Sequence, residues 1–289
     1  MILKIKKCRC CDRSEFHRKG YAPIAQFFLL YGLHIKNVES FQITEEGLSN
    51  CLIAYGMCEY CSFIAPWPEI SNDSLLDYYN FYASDSYNQG RLKFENYYKK
   101  ISTVNISSAE QKLRRESYQI FFSNKVRSLL PKNPSILDFG GEALNAASVI
   151  PNLPKKLINY YHFPSDQVYS SNNELINDSK NYDYIQILHV LEHTGHPRNT
   201  LLSAVKKLKN SGFIYIEVPL EIKNKKKAGG WGGARIKKFH EHINKLCIKS
   251  IEALVVSCNL SPILLEESTM PLLTHQNPVP IIRCIAKRR

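Results

Sequence analysis

Apolar positions change their period along this chain. Near the start they form strand-length groups, Phe41–Thr44 and Leu52–Tyr55. Between about Ala109 and Leu130 they recur at helical spacing, and Pro131 ends that pattern because its ring cannot continue a helix. From Ser135 onward short apolar runs alternate with helical stretches. Ser135–Phe139, Lys156–Tyr160, Asp183–Leu188 and Phe213–Val218 read as strands, with Pro262–Leu265 and Val279–Ala286 as two late ones. Ala143–Ile150, Thr200–Lys209 and Ser250–Cys258 read as helices. In Thr200–Lys209, residues Leu201, Leu202, Val205 and Leu208 share one face, and Gly212 stands where a C-cap is expected. Such alternation predicts an α/β fold with a mostly parallel sheet and helices on both faces. Ligands of such sheets bind at the carboxyl ends of the strands.

A chain of 289 residues has room for one substantial core and a small satellite domain. The apolar run Ile24–Leu33 is broken by Gln26 and is too short to span a bilayer. The first eight residues, MILKIKKC, lack the apolar core and cleavage site of a signal peptide, so a cytoplasmic protein is expected. A net charge of +12 attracts anions, which admits phosphorylated small molecules and nucleic acids. The lysines are scattered, however, and no dense basic stripe is interleaved with aromatics. Nucleic acid is therefore not the expected partner.

Cysteine spacing adds a metal. Cys8-Arg-Cys-Cys11 and Cys58-Glu-Tyr-Cys61 each hold a C-x-x-C step, and two such steps present four thiolates to one tetrahedral ion. Cys8, Cys11, Cys58 and Cys61 are the expected ligands of a structural Zn2+, because four filled positions leave no place for a reactive water. Unrelated buried or redox cysteines are the other reading. The aromatic stretch Leu75–Tyr82, which follows Pro66 and Pro68, suits packing between modules, and stacking on bases is the alternative. The boundaries that follow are a zinc-ribbon module at 1–70, an aromatic and helical connector at 71–130, and the α/β domain at 131–289.

The strand ends of that domain are polar. The first ends Asp138-Phe139-Gly140-Gly141-Glu142, the third reaches His189-Val-Leu-Glu192-His193, and a later loop carries His240-Glu241-His242. His189, His193 and His196 are spaced so that a metal site is conceivable, although Glu192 and His193 more simply anchor a turn.

Ile136-Leu-Asp-Phe-Gly140 resembles the first motif of class I S-adenosylmethionine-dependent methyltransferases. Tyr182–His193 is similar to their fourth-strand segment, Leu208–Pro219 to their fifth, and His240–Leu246 to the loop before their sixth. Cys58-Glu-Tyr-Cys-Ser-Phe-Ile resembles the zinc ribbon that precedes some members, among them C-methyltransferases of nucleotide-activated sugars and relatives in surface-polysaccharide synthesis. The resemblance implies a Rossmann-like domain with a mostly parallel seven-stranded sheet, preceded by a small zinc ribbon with four cysteine ligands. It implies S-adenosyl-L-methionine as cofactor, held by Asp138, Phe139, Gly140 and Gly141, with His189 lining the adenine side. It implies a small acceptor, phosphorylated or nucleotide-linked. His242 is then the candidate base, Glu241 its orienting partner and His240 their companion, because a histidine titrating near neutrality suits proton abstraction. A polar loop that only holds the domain together is the other reading of these histidines.

The chain departs from the family pattern in three places. Glu142 and Leu144 stand where two further glycines are usual, no acid ends the second strand before Asp166, and Phe239 replaces a usual tyrosine. Three readings follow: an active methyltransferase, a cofactor-free binding protein of the same fold, and a zinc-ribbon nucleic-acid methyltransferase. The lysine run Lys225–Lys227 and the glycines around Trp231 read as a lid or as a solvated loop.

Overall fold

The computed structural model describes residues 7–13, 16–23, 52–67, 106–139, 155–158, 168–169, 179–222, 242–271 and 278–289. The expectations placed on Phe41–Thr44, Leu75–Tyr82, Ala143–Ile150 and the loop from Lys225 to Trp231 lie outside them.

The described residues form two sheets. The first is antiparallel, in the order β1 (Phe16–Pro23), β2 (Leu52–Cys58), β3 (Ile64–Trp67). The second contains β4 (Ile136–Phe139), β5 (Lys155–Ile158), β6 (Val168–Tyr169), β7 (Tyr182–Leu188), β8 (Leu208–Pro219), β9 (Leu260–Met270) and β10 (Val279–Arg288). Its order is β6-β5-β4-β7-β8-β10-β9. The five strands from β6 to β8 are parallel, and β10 runs antiparallel between β8 and β9, so the sheet is mixed. Strand order reverses direction at β4 and β7, and a sheet of this kind has its binding crevice at their carboxyl ends.

Alternation along the strands supplies a core on each face. Helix α1 (Ile106–Phe121) continues into a π turn, Phe122–Val126, and a 3-10 turn, Arg127–Leu129. It brings Tyr118, Phe121, Phe122 and Val126 onto Ile136, Tyr184, Tyr215 and Ile285. On the other face α2 (Pro197–Lys206) and α3 (Ile248–Ser257) bury Leu201, Ala204, Ile251 and Leu254 with Leu137, Ile185 and Ile216. No helix among the described residues is long and apolar enough to cross a membrane.

Helix α2 starts and stops earlier than its apolar face predicts. Pro197 takes the first helical position, where its missing N–H costs nothing. Lys207 caps the end, so Gly212 is not a helix cap but a residue of β8. Tyr182 pairs with Leu208 and Tyr184 with Phe213, so the intervening residues bulge outward, and Lys209 reaches Asp183 Oδ2 at 2.8 Å. The bulge drives Gly212 against β7. A Cβ there would lie 2.8 Å from Leu208 Cδ1 and 3.0 Å from the carbonyl oxygens of Tyr182 and Asp183. Since backbone cannot yield as a side chain can, Gly212→Ala is expected to lower stability by about 1–3 kcal/mol, measurable by denaturant titration.

Candidate active site

Parallel β4, β7 and β8 deliver their carboxyl ends to one edge of the sheet. Asp138 sits at the end of β4, buried to 1% exposure, beside Gln186 of β7 in register. Phe139 next to it is fully buried. Across the crevice, His189 follows β7 in the left-handed conformation (φ 54°), a turn that swings its ring back under the strand ends. Asp138, Phe139 and His189 thus flank the switch point, while Gly140 and Gly141 lie outside the described residues.

His189 is held between two carboxylates. Its Nδ1 is 3.3 Å from Glu192 Oε1 and its Nε2 3.3 Å from Glu217 Oε1. Burial disfavours its charge, but the two carboxylates outweigh burial and raise its pKa to about 9. Glu217 continues inward: its Oε2 accepts from Arg283 Nε at 3.0 Å and from Tyr215 at 2.5 Å, and Arg283 Nη2 donates to Ser117 Oγ of α1 at 2.9 Å. Although burial opposes it, pairing with His189 and Arg283 holds the Glu217 carboxyl below its ordinary range. The sign of the linkage is clear. Stability from this depressed carboxyl is fully present above the unfolded glutamate value, near 4.5, and is lost as pH falls through the lower folded value. Arg283→Met should leave Glu217 with only His189 and Tyr215 as partners, costing about 1–3 kcal/mol, and should flatten the acid limb of the stability profile. Thermal unfolding from pH 3 to pH 7 checks both.

The second cluster lies beyond β8. Glu221, two residues past Pro219, accepts from His242 Nδ1 at 3.0 Å and from Lys245 Nζ at 2.9 Å, both on Oε1. A proton on Nδ1 leaves the lone pair on Nε2. Burial pushes the His242 pKa down, but the bond and charge of Glu221, with the charge of Glu192, more than offset this and raise it. The segment carrying His242 is pinned by Asn244, whose Nδ2 donates to the carbonyls of Leu191 at 2.8 Å and Thr194 at 2.6 Å, while its N–H donates to Glu192 O at 2.9 Å. His242 consequently meets His193, with ring centroids 4.9 Å apart at 77°. Ligand-capable atoms of Glu192, His193 and His242 fall within 4.8 Å of one another; the metal-spaced set is this one and not His189, His193 and His196.

Among the expected catalytic residues, only His242 is described; His240 and Glu241 lie outside. The carboxylate on His242 is Glu221, which sequence reasoning missed. Its one available signal was an acid just past the last residue of a central strand.

Cys8, Cys11, Cys58 and Cys61 converge, all buried. Cys8 Sγ lies 3.8 Å from Cys61 Sγ, and Cys11 Sγ 3.6 Å from Cys58 Sγ. Four thiolates at about 2.3 Å from a tetrahedral ion stand about 3.8 Å apart, so the donor set suits one zinc. The two knuckles repeat one backbone design. In each, the residue after the second cysteine is left-handed (Asp12 φ 64°, Ser62 φ 63°) and its N–H donates to the first cysteine's carbonyl at 2.8 Å. Backbone N–H groups of Cys10 and Cys61 point at the sulfurs of Cys8 and Cys58, at 3.4 and 3.5 Å.

The cysteine module is locked to the sheet domain beside the His242 cluster. Ile64 and Lys245 exchange backbone hydrogen bonds at 3.2 and 2.8 Å, Ser250 Oγ donates to Cys61 O at 3.0 Å, and Cys10 Sγ donates to Ser250 O at 3.3 Å. Arg9 reaches Gly195 O at 2.9 Å. The spare cysteine of the first knuckle is thus a packing residue.

A profile of the methyltransferase domain matches residues 113–263, more than half of the chain, from within α1 into β9. No curated protein matches at a significant level. Among solved structures, the 1,6-didemethyltoxoflavin-N1-methyltransferase of Burkholderia thailandensis, bound to 1,6-didemethyltoxoflavin and S-adenosylhomocysteine, is similar at 13% identity over 68% of this chain and 86% of its own, with TM-score 0.46. The plantazolicin methyltransferase BpumL, with a triazolic desmethyl analogue and S-adenosylhomocysteine, is similar at 16% identity over 70% of this chain and 95% of its own, with TM-score 0.43. An S-adenosylmethionine-dependent methyltransferase from Clostridium acetobutylicum gives 12% identity, 68% and 98% coverage, and TM-score 0.43. The chain belongs to the methyltransferase-domain family.

Proposed function

We propose that the chain methylates a small acceptor, a nucleotide-activated sugar or polysaccharide precursor, with His242 as the base. The observation that carries this reading is the His242–Glu221–Lys245 cluster, set just past the carboxyl end of β8 on the edge that also bears Asp138 and His189. A proton on Nδ1, held by Glu221, keeps Nε2 ready to accept the acceptor's proton, and Lys245 fixes Glu221 in turn. Glu221 acts here as a positioning residue.

The residues at the switch point support a cofactor there. Asp138 supplies a buried carboxylate, Phe139 an apolar wall, and the glycines that follow in sequence allow close approach of backbone. These residues and His189 would hold S-adenosylmethionine, which when bound supplies an electrophilic sulfonium methyl. Aligning acceptor and methyl donor while excluding water supplies much of the rate, and the buried neighbours Val190 and Leu191 assist that exclusion. The four-cysteine cluster is a structural Zn2+ site, supported by its sulfur spacing and paired knuckles. We assign the zinc-ribbon module to residues 1–70, the connector to 71–130 and the catalytic domain to 131–289, in a cytoplasmic protein.

The test is incubation of zinc-replete protein with S-adenosylmethionine and a panel of nucleotide-sugar acceptors, read by mass spectrometry. A product heavier by one methylene is expected from at least one nucleotide sugar. Transfer to RNA and to none of the sugars would overturn the acceptor class.

A further inference from the structure

The set Glu192, His193 and His242 is not used up by the proposed chemistry. Its three ligand-capable atoms come from two separate segments, the turn after β7 and the segment before α3, and lie within 4.8 Å of one another. Glu192 is buried to 1% exposure, and while Oε1 lies 3.3 Å from His189 Nδ1 and 3.9 Å from His193 Nε2, its Oε2 has no hydrogen-bond partner among the described residues. A buried carboxylate oxygen without a donor is costly unless a cation or proton reaches it. The surroundings are those of a metal site. His242 gives its Nδ1 to Glu221 at 3.0 Å, which turns Nε2 outward as a ligand atom, and carboxylate–histidine pairs of this kind orient imidazoles on metals. Glu192 is itself steadied by His189.

We propose that Glu192, His193 and His242 bind a divalent first-row transition cation through one Glu192 carboxylate oxygen and one imidazole nitrogen of each histidine. Two histidines and one carboxylate suit such ions, whereas calcium and magnesium favour all-oxygen shells. Ligand atoms around one such ion stand about 3–4 Å apart, so closing the set asks for movement on the order of 1 Å, within the reach of side-chain rotation. Three protein ligands leave coordination positions open, and a cation there would occupy the Nε2 that the proposed chemistry uses as a base, so that the bound ion would inhibit methyl transfer. That consequence rests on the assignment of His242; the site itself does not.

The test therefore reads metal rather than activity. Full-length chain with its cysteine cluster loaded by zinc is titrated with Co2+, without cofactor or acceptor. One equivalent should bind and give the weak visible bands of nitrogen and oxygen ligation, without the strong charge-transfer absorption of thiolates. His193→Gln should abolish that ion while leaving the zinc content unchanged, and His242→Asn should do the same if His193→Gln fails to fold. Absence of a second ion in the wild-type chain would overturn the proposal, as would a folded variant of either kind that still holds it.

Discussion

His242→Ala is expected to reduce methyl transfer by about 10²–10⁴-fold while leaving S-adenosylmethionine affinity nearly unchanged, since a positioned base contributes on that order. The two readouts separate because His242 lies past β8, whereas the proposed cofactor residues Asp138, Phe139 and His189 stand at the β4–β7 switch point. Loss of fold is not expected to contribute. The ring is partly exposed, and Glu221 keeps its 2.9 Å contact with Lys245 when the imidazole is gone. Glu221→Gln should fall between wild type and His242→Ala, because the amide still contacts His242 but no longer carries charge. Turnover in His242→Ala equal to that of wild type would remove the base assignment. A parallel loss of cofactor affinity would make the histidine structural.

Cys58→Ser should release the zinc and unfold the N-terminal module. Structural zinc sites in small modules are worth about 10–16 kcal/mol near neutral pH. Whole domains are stable by only about 5–15 kcal/mol. The three-stranded sheet meets the four sulfurs directly, since β2 ends on Cys58, whose sulfur lies 3.6 Å from that of Cys11. The effect should travel further. Ile64 pairs with Lys245, and Ser250 with Cys61, so the segment carrying His242 loses two of its supports. On Co2+ substitution the thiolate charge-transfer absorption of the cysteine cluster should disappear, with a lower unfolding temperature. A Cys58→Ser chain that keeps the full thiolate-to-metal absorption would contradict the assignment of the four sulfurs as ligands.

Much of the sheet domain was legible because its strands are apolar on both faces. β4, β7, β8 and β10 read directly as short apolar runs flanked by polar residues, and alternation with helices implies the parallel order of the first three, whereas β10 runs antiparallel. Other strands were hidden for local reasons. Phe16–Pro23 carries His17, Arg18, Lys19 and Gly20 in succession and shows no apolar alternation, yet forms β1. Val168–Tyr169 is only two residues long. Gly212 reads as a helix cap by its distance from α2, but the bulge against β7 is a tertiary feature that sequence spacing does not carry.

The site was legible in its parts and not in its pairings. Strand-end residues Asp138 and His189 could be found because strand ends could be found. Spacing also announced the four cysteines, since C-x-x-C is a local property of one turn. Glu221 could not be matched to His242 in advance, nor His242 to His193, because each pair is joined only by how the chain returns after β8. Asn244, with its side-chain bonds to Leu191 and Thr194, is the residue that makes that return specific.

The most direct measurement is calorimetric titration of zinc-replete protein with S-adenosylmethionine and S-adenosylhomocysteine. The crevice beside Asp138 and His189 predicts saturable binding of both, with dissociation constants in the micromolar range, about −8 kcal/mol. No binding of either at millimolar concentration would contradict the account, and Glu142 and Leu144 would then mark a chain that has kept the fold and lost the cofactor.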